Sequence, residues 1–342
     1  MTSTLRSKIE KICLVGFLAT STATVHSNGL TTQTAEQHAA AGMKIGKDFP
    51  GLLDLCDLSK PLLVAGQREG GAERRRPEGR ERELQPPLPP MKVFDNLYFV
   101  GNRQVSAWLL GTNKGYFLID AMNNDQQSKA IIEAGIFKLG LDPRSIKYIV
   151  VTHAHGDHYG GQNHIATTYG SRVVMSEADW QVLEDPAQRI ENPRWGPRPS
   201  RDVVVNDGDV LSIPGTEIQV RETPGHTPGT ISLIFKVIDN GTPHMAALWG
   251  GTGFNFGANE LRFRQYAQSA ERFRQLAFDQ RVDVFLSNHA SRDDGIQKMD
   301  RLQLRSPEEP NPFIIGSNAP NAFEVLNRCA LAQAERVKAV GK

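Results

Sequence analysis

Six consecutive residues, His153-Ala154-His155-Gly156-Asp157-His158, constrain this chain more than any other stretch, because three imidazoles and a carboxylate leave together from the apolar run Ile149-Val150-Val151-Thr152. A strand that empties into such a loop can aim His153 and His155 to one side while Asp157 and His158 turn toward a second point nearby. That is geometry for two metal ions. Neutral imidazole nitrogen and carboxylate oxygen are ligands that zinc favours, and a catalytic zinc keeps one position open for water. The bland alternative is a solvated His-rich loop. Four donors at alternate and adjacent positions, behind a β-branched strand and before Gly160-Gly161, argue against it.

The chain has 342 residues, enough for one large α/β domain with extensions. Its 39 Lys+Arg balance 38 Asp+Glu to a net charge of +1, so no global field draws it to nucleic acid or to an anionic membrane. Over 1–27, Arg6, Lys8 and Lys11 precede the apolar stretch 12–19 and a run of small residues, which reads as an export signal; the apolar run is too short to span a membrane in the mature chain. With such a signal the protein is secreted or periplasmic, and without it cytoplasmic. Cys13 would leave with the signal. Cys56 and Cys329 would remain and permit one disulfide in an oxidising compartment, although nothing in the sequence brings them together.

Residues 28–90 read as an N-terminal extension. Phe49, Leu52, Leu53 and Leu55 suggest a short helix lying on a larger body, and 67–90, rich in charge, Gly and Pro, suggests a solvated linker. Ordered structure is expected over 91–342. Strands are expected at 93–100, 105–110 and 116–119, with Asp120 after the third placed to support a metal site from behind. A helix over 126–139, capped by Asn124 or Asp125, leads to a strand at 146–151 that delivers the His cluster. A helix through Ala166, a strand at 172–175 and a helix around 178–183 follow; His164 falls in the first of these and reads as structural or exposed. The Pro-rich stretch 192–199, with Trp195 between Arg194 and Arg198, is either a lid over a cleft or a surface loop. Strands at 203–205, 218–221 and 231–235 resume a β layer.

Two later histidines stand at strand ends. His226 lies between the Pro/Gly turns of Thr223-Pro224-Gly225-His226-Thr227-Pro228-Gly229, where stiff backbone fixes the imidazole, and would complete a first site with His153 and His155. His289 follows an apolar strand over 282–286 and would complete a second with Asp157 and His158. Each site then has the three protein ligands typical of catalytic zinc.

From Val93 to the C-terminal helix the sequence resembles the metallo-β-lactamase superfamily, matching its H-x-H-x-D-H motif at His153 to His158, with His226 and His289 in family order. The resemblance implies an αβ/βα four-layer sandwich, two mixed sheets face to face with helices outside, and a dinuclear zinc site at one edge. Many hydrolases of the superfamily carry a bridging Asp in a T-G-D-T strand ending; the matching stretch here is Trp249-Gly250-Gly251-Thr252, with Gly251 in the place of that Asp. This is similar to the third subclass, in which one zinc is held by three histidines and the other by Asp-His-His. That subclass usually has Ser at the Gly251 position.

The resemblance implies a zinc-dependent hydrolase, with two zinc ions and Asp157 as catalytic residue, that uses metal-activated hydroxide to open a cyclic amide: a β-lactam antibiotic, or a γ-lactam or cyclic carbamate in a detoxifying lactamase. The partner is then a small molecule. Thr252, Asn255 and Asn288 either flank the cleft and bind substrate or serve as turn residues. A lactonase or thioesterase-like hydrolase is the nearest alternative, and a non-catalytic zinc-binding protein is a more distant one.

Overall fold

The computed structural model describes residues 33–64, 88–188, 190, 192–306 and 308–341. The expected export signal over 1–27 and most of the linker over 67–90 lie outside the described residues.

Two mixed sheets form the frame. In the first, seven strands lie side by side in chain order: β1 (Met91–Phe94), β2 (Leu97–Phe99), β3 (Trp108–Thr112), β4 (Gly115–Ile119), β5 (Ile146–Val150), β6 (Arg172–Ser176) and β7 (Val203–Val205). The strands β1 to β4 pair antiparallel, and β4 to β7 pair parallel. Where one strand is expected over 93–100, the chain instead turns at Asp95-Asn96 and pairs with itself. The turn is pinned to the second sheet, since Asn96 donates to the Lys236 carbonyl and accepts from the Ile238 amide.

The second sheet has five strands in the order β12 (Val284–Ser287), β11 (Thr242–Trp249), β10 (Ile231–Asp239), β9 (Thr216–Glu222) and β8 (Val210–Ile213). Only β11 and β12 run parallel in it. Alternation along β10 sets Ile231, Leu233, Phe235 and Val237 against the first sheet, while Ile234 faces the helices outside and Lys236, on the same side, reaches solvent.

Helices cover both outer faces. Over the first sheet lie α2 (Asp125–Gln127) and α3 (Ala134–Lys138), joined by the π-helical turn Ser128–Glu133, then α4 (Gly156–Tyr159), α5 (Gln162–Tyr169) and α6 (Glu177–Glu184). Ile132, Ile136, Ile165 and Trp180 pack there against Leu109, Leu118 and Ile149. Over the second sheet lie α1 (Ala35–Ile45), α7 (Glu260–Asp279) and α9 (Asn321–Val340), with Tyr266, Phe273 and Phe323 against Trp249 and Phe285; α8 (Gly295–Gln303) follows β12. The result is the four-layer αβ/βα sandwich.

The segment before the linker belongs to this body. The 3-10 helix Pro50–Cys56 buries Leu52 and Leu55 in the outer core of the second sheet, and Cys56 is disulfide-bonded to Cys329 of α9 across 273 residues of sequence. A crosslink spanning so long a loop removes much freedom from the unfolded chain. Replacing both cysteines by serine is therefore expected to lower unfolding free energy by about 2–4 kcal/mol. Denaturant curves of the variant and the oxidised protein that coincide would contradict this.

Candidate metal centre

Strand ends from both sheets converge on one edge. From the first sheet, β4 ends at Asp120 and β5 runs through Thr152 into His153; from the second, β9 leads to His226, β11 to Gly250 and β12 to His289. Asp120 ties the first pair together. Its fully buried carboxylate accepts from the Thr152 amide at 2.8 Å, the Thr152 hydroxyl at 3.0 Å and His158 Nδ1 at 2.7 Å. Asp157 and His158 lie in the single turn of α4. Thus the six-residue loop that enters from β5 is held from behind by the end of its neighbour.

The hydrogen bonds of the imidazoles settle which nitrogen faces the site. His153 Nδ1 lies 2.7 Å from the Gly250 carbonyl, His226 Nδ1 2.6 Å from the Gly253 carbonyl and His289 Nδ1 2.7 Å from the Gln104 carbonyl. A carbonyl only accepts, so each Nδ1 carries the proton and each Nε2 presents a lone pair. His226 Nε2 is 3.0 Å from His153 Nε2 and 3.1 Å from His155 Nδ1. Lone pairs aimed at one another at that distance repel unless a cation lies among them. A tetrahedral ion with nitrogen ligands at about 2.0–2.1 Å puts them about 3.3 Å apart, so the residues fit a metal. The structure gathers His153, His155 and His226 into one such group and Asp157, His158 and His289 into another, with the donor atoms of each within 4.8 Å of one another.

Charge differs between the groups. Burial, reinforced by neighbouring imidazoles, holds His153 and His226 well below the usual range, and burial brings His155 down to about 4, so the first group is neutral at pH 7. Burial works against both charges of the second group, yet Asp157 and Asp120 together raise His158 well above its ordinary value. In turn His158 and His289 pull Asp157 well below the carboxylate range.

The remaining expected residues separate on inspection. Asn288 is fully buried and donates to the Gly250 carbonyl at 2.6 Å and to the Thr152 hydroxyl at 2.9 Å, so it braces the loop that holds His153 and does not face substrate. Thr252 is also buried, 3.2 Å from the Ser287 hydroxyl. Asn255 does line the cleft, and its Oδ1 has no hydrogen-bond partner among the described residues. His164 pairs with Glu133 at 3.1 Å, away from both groups. At Gly251 a Cβ would stand 2.6 Å from His226 Cβ, so the bare backbone there is what lets the imidazole in.

A cleft of about 540 Å³ opens over the two groups. One wall is the stretch read as a lid or surface loop: Trp195 lies on Gly156 with its ring 6.2 Å from that of His155, Gly196 donates to the Asn123 carbonyl and Asn124 Nδ2 donates to the Arg194 carbonyl. It is anchored as a wall. A further part of its lining comes from the N-terminal segment, with Asp54, Leu55, Asp57 and Lys60, which the sequence suggests only as a support from outside the site. The apolar patch gave a signal for packing but none for position.

Two outcomes follow for metal loading. Wild-type protein is expected to bind close to two transition-metal ions per chain, and His226→Ala and His289→Ala each to lose about one, with His164→Ala unchanged; elemental analysis showing full content in either of the first two would contradict the grouping. On acidification the second group should empty before the first. A metal there displaces the proton that His158 otherwise keeps, so its affinity falls by about tenfold per pH unit, whereas the first group meets no such competition until the pH nears the range in which His155 protonates. Stepwise release followed at falling pH in His226→Ala and His289→Ala proteins checks the order, and first-group release at the higher pH would reverse it.

Known proteins share this architecture. A family model described as the metallo-beta-lactamase superfamily matches residues 100–237. The solved subclass B3 metallo-β-lactamase of Bradyrhizobium japonicum is 25% identical and superimposes with a TM-score of 0.64, over 76% of this chain and 99% of that one. An N-acyl homoserine lactonase from a Bacillus species is 23% identical over 56% of this chain and 83% of its own length. A hydroxyacylglutathione hydrolase of Rhodopseudomonas palustris is 33% identical, but the match spans only 44% of that protein. Residues 100–237 thus match the metallo-β-lactamase superfamily, whose members are hydrolases, and the chain has that fold, six converging donors and subclass B3 enzymes among its structural neighbours.

Proposed function

We propose that the protein is a zinc-dependent hydrolase that opens a cyclic amide, either a β-lactam or the γ-lactam or cyclic carbamate of a detoxifying enzyme. The observation that carries this reading is at Gly251. Its backbone is packed on His226 so closely that no carboxylate fits where many ester- and phosphodiester-cleaving relatives place a bridging Asp. The donors are then His153, His155 and His226 for one ion, and Asp157, His158 and His289 for the other.

Two zinc ions held there would polarise the scissile carbonyl and make a water acidic enough to attack it near neutral pH. The chain's own groups do the rest. Asp157, ionised and with its side chain 27% exposed toward the cleft, accepts a hydrogen bond from the attacking water and passes the proton on to the leaving nitrogen. Asn255 lines the cleft, and its side-chain NH2 would be the atom to donate to the substrate carbonyl. Trp195 gives the cleft a flat apolar face for a ring substituent, and Arg194 stands beside it at the mouth. The second reading, a lactonase or thioesterase-like hydrolase, is favoured by the lactonase relative, because the same nucleophile attacks esters readily.

The disulfide between Cys56 and Cys329 fits an oxidising compartment and supports the export reading of the first residues, with the protein acting outside the cytoplasm. Substrate class is tested by comparing kcat/KM across β-lactams, γ-lactams, benzoxazolinone-type carbamates, homoserine lactones and thioesters on zinc-loaded protein. Highest turnover on a cyclic amide or carbamate, abolished by chelation, is expected. A preference for lactones or thioesters would transfer the assignment to the second reading.

A further inference from the structure

Outside the six donors, one fully buried carboxylate touches both halves of the first group. Asp179 stands in the first turn of α6, behind the N-cap Ser176, a spacing that in sequence reads as simple helix capping. Its side chain goes elsewhere. Oδ2 accepts from the Ala154 amide at 2.8 Å and from the Thr227 hydroxyl at 2.7 Å, and Oδ1 accepts from the Gly229 amide at 2.8 Å. Ala154 lies between His153 and His155, and Thr227 follows His226.

Ala154 belongs to the loop that leaves the first sheet, and Thr227 and Gly229 to the turn between β9 and β10 of the second. One carboxylate therefore spans the gap between the sheets at the point where the three imidazoles must meet. The helix that carries it is locked in place, since Ser176 Oγ donates to the Gly229 carbonyl at 2.6 Å. From the other side Arg262 of α7 donates to the Gly225 and His226 carbonyls, so the turn is gripped on both flanks. Only Asp179, of these two, also reaches the His153 loop.

We propose that Asp179 is a positioning residue for the first metal group, setting the distance from His153 and His155 to His226 and hence that group's affinity for metal. This rests on the reading that the three histidines hold an ion. An amide in place of the carboxylate keeps the shape but loses an acceptor. Whichever way the side chain of Asp179→Asn is turned, its NH2 meets the N–H of either Ala154 or Gly229, donor against donor.

The test measures Zn2+ and Co2+ affinity by competition with a chromophoric chelator in His289→Ala protein, where only the first group is complete, and in His226→Ala protein, where only the second is. Each is measured with and without Asp179→Asn, and with Thr227→Val, which removes one of the three bonds. Unfolding of the metal-free proteins is followed alongside. The proposal predicts that Asp179→Asn weakens the first group by about 10–100-fold, with an altered Co2+ spectrum, and leaves the second group unchanged; Thr227→Val has a smaller effect in the same direction. Unchanged first-group affinity in either folded variant overturns it, as does equal weakening of both groups, which marks a general loss of structure. Should Asp179→Asn fail to fold, Thr227→Val decides alone. If His289→Ala protein itself binds no ion, the metal reading has failed and the proposal falls with it, a result distinct from loss only on Asp179→Asn.

Discussion

The arrangement depends on lone pairs being forced to face one another. Backbone carbonyls of Gly250, Gly253 and Gln104 each take the Nδ1 proton of a histidine, and Asp120 takes that of His158, so four Nε2 atoms are turned inward. In the first group the neutral imidazoles of His153, His155 and His226 repel one another and have lost their water, whereas in the second His158 keeps its proton between Asp120 and Asp157. Folding tolerates such an arrangement because the strand ends that supply the carbonyls and carboxylate are fixed by two sheets packed through a common apolar core. A cation turns the strain of the arrangement into binding free energy.

The two groups reach this condition differently, and the difference has a chemical use. The first is neutral and deeply buried, so a metal held by His153, His155 and His226 would keep its full charge and supply strong Lewis acidity. The second includes Asp157, whose carboxylate offsets part of the charge and borders the cleft. With no carboxylate at Gly251 to link the groups, each stands as a separate three-donor set, and two ions held there would retain more positive charge than a bridged pair would.

Much of this was legible in the chain. Six donors could be read because metal ligation demands particular residue types at strand ends, and β-branched runs ahead of His153 and His289 mark those ends without any knowledge of the fold. The sandwich came from resemblance, since periodicity alone does not tell how two sheets face each other. The missed features share a physical cause: their meaning lies in contacts distant in sequence. Cys56 and Cys329 meet because a 3-10 helix lies along α9. Asp54 and Lys60 line the cleft because that helix lies beside the loop after His289, where Arg292 donates to the Gly51 carbonyl. Asp95-Asn96 breaks an apolar run that read as one strand, because its partners are in the other sheet. Asp179 passes for a helix cap until Ala154 and Gly229 are seen around it.

The central claim is that two separate three-donor groups each hold one ion. Anomalous scattering at the zinc edge from crystals grown with zinc tests it most directly. The account predicts two peaks, one among His153, His155 and His226 and one among Asp157, His158 and His289. A single peak, or a peak whose ligands mix members of the two groups, would contradict it.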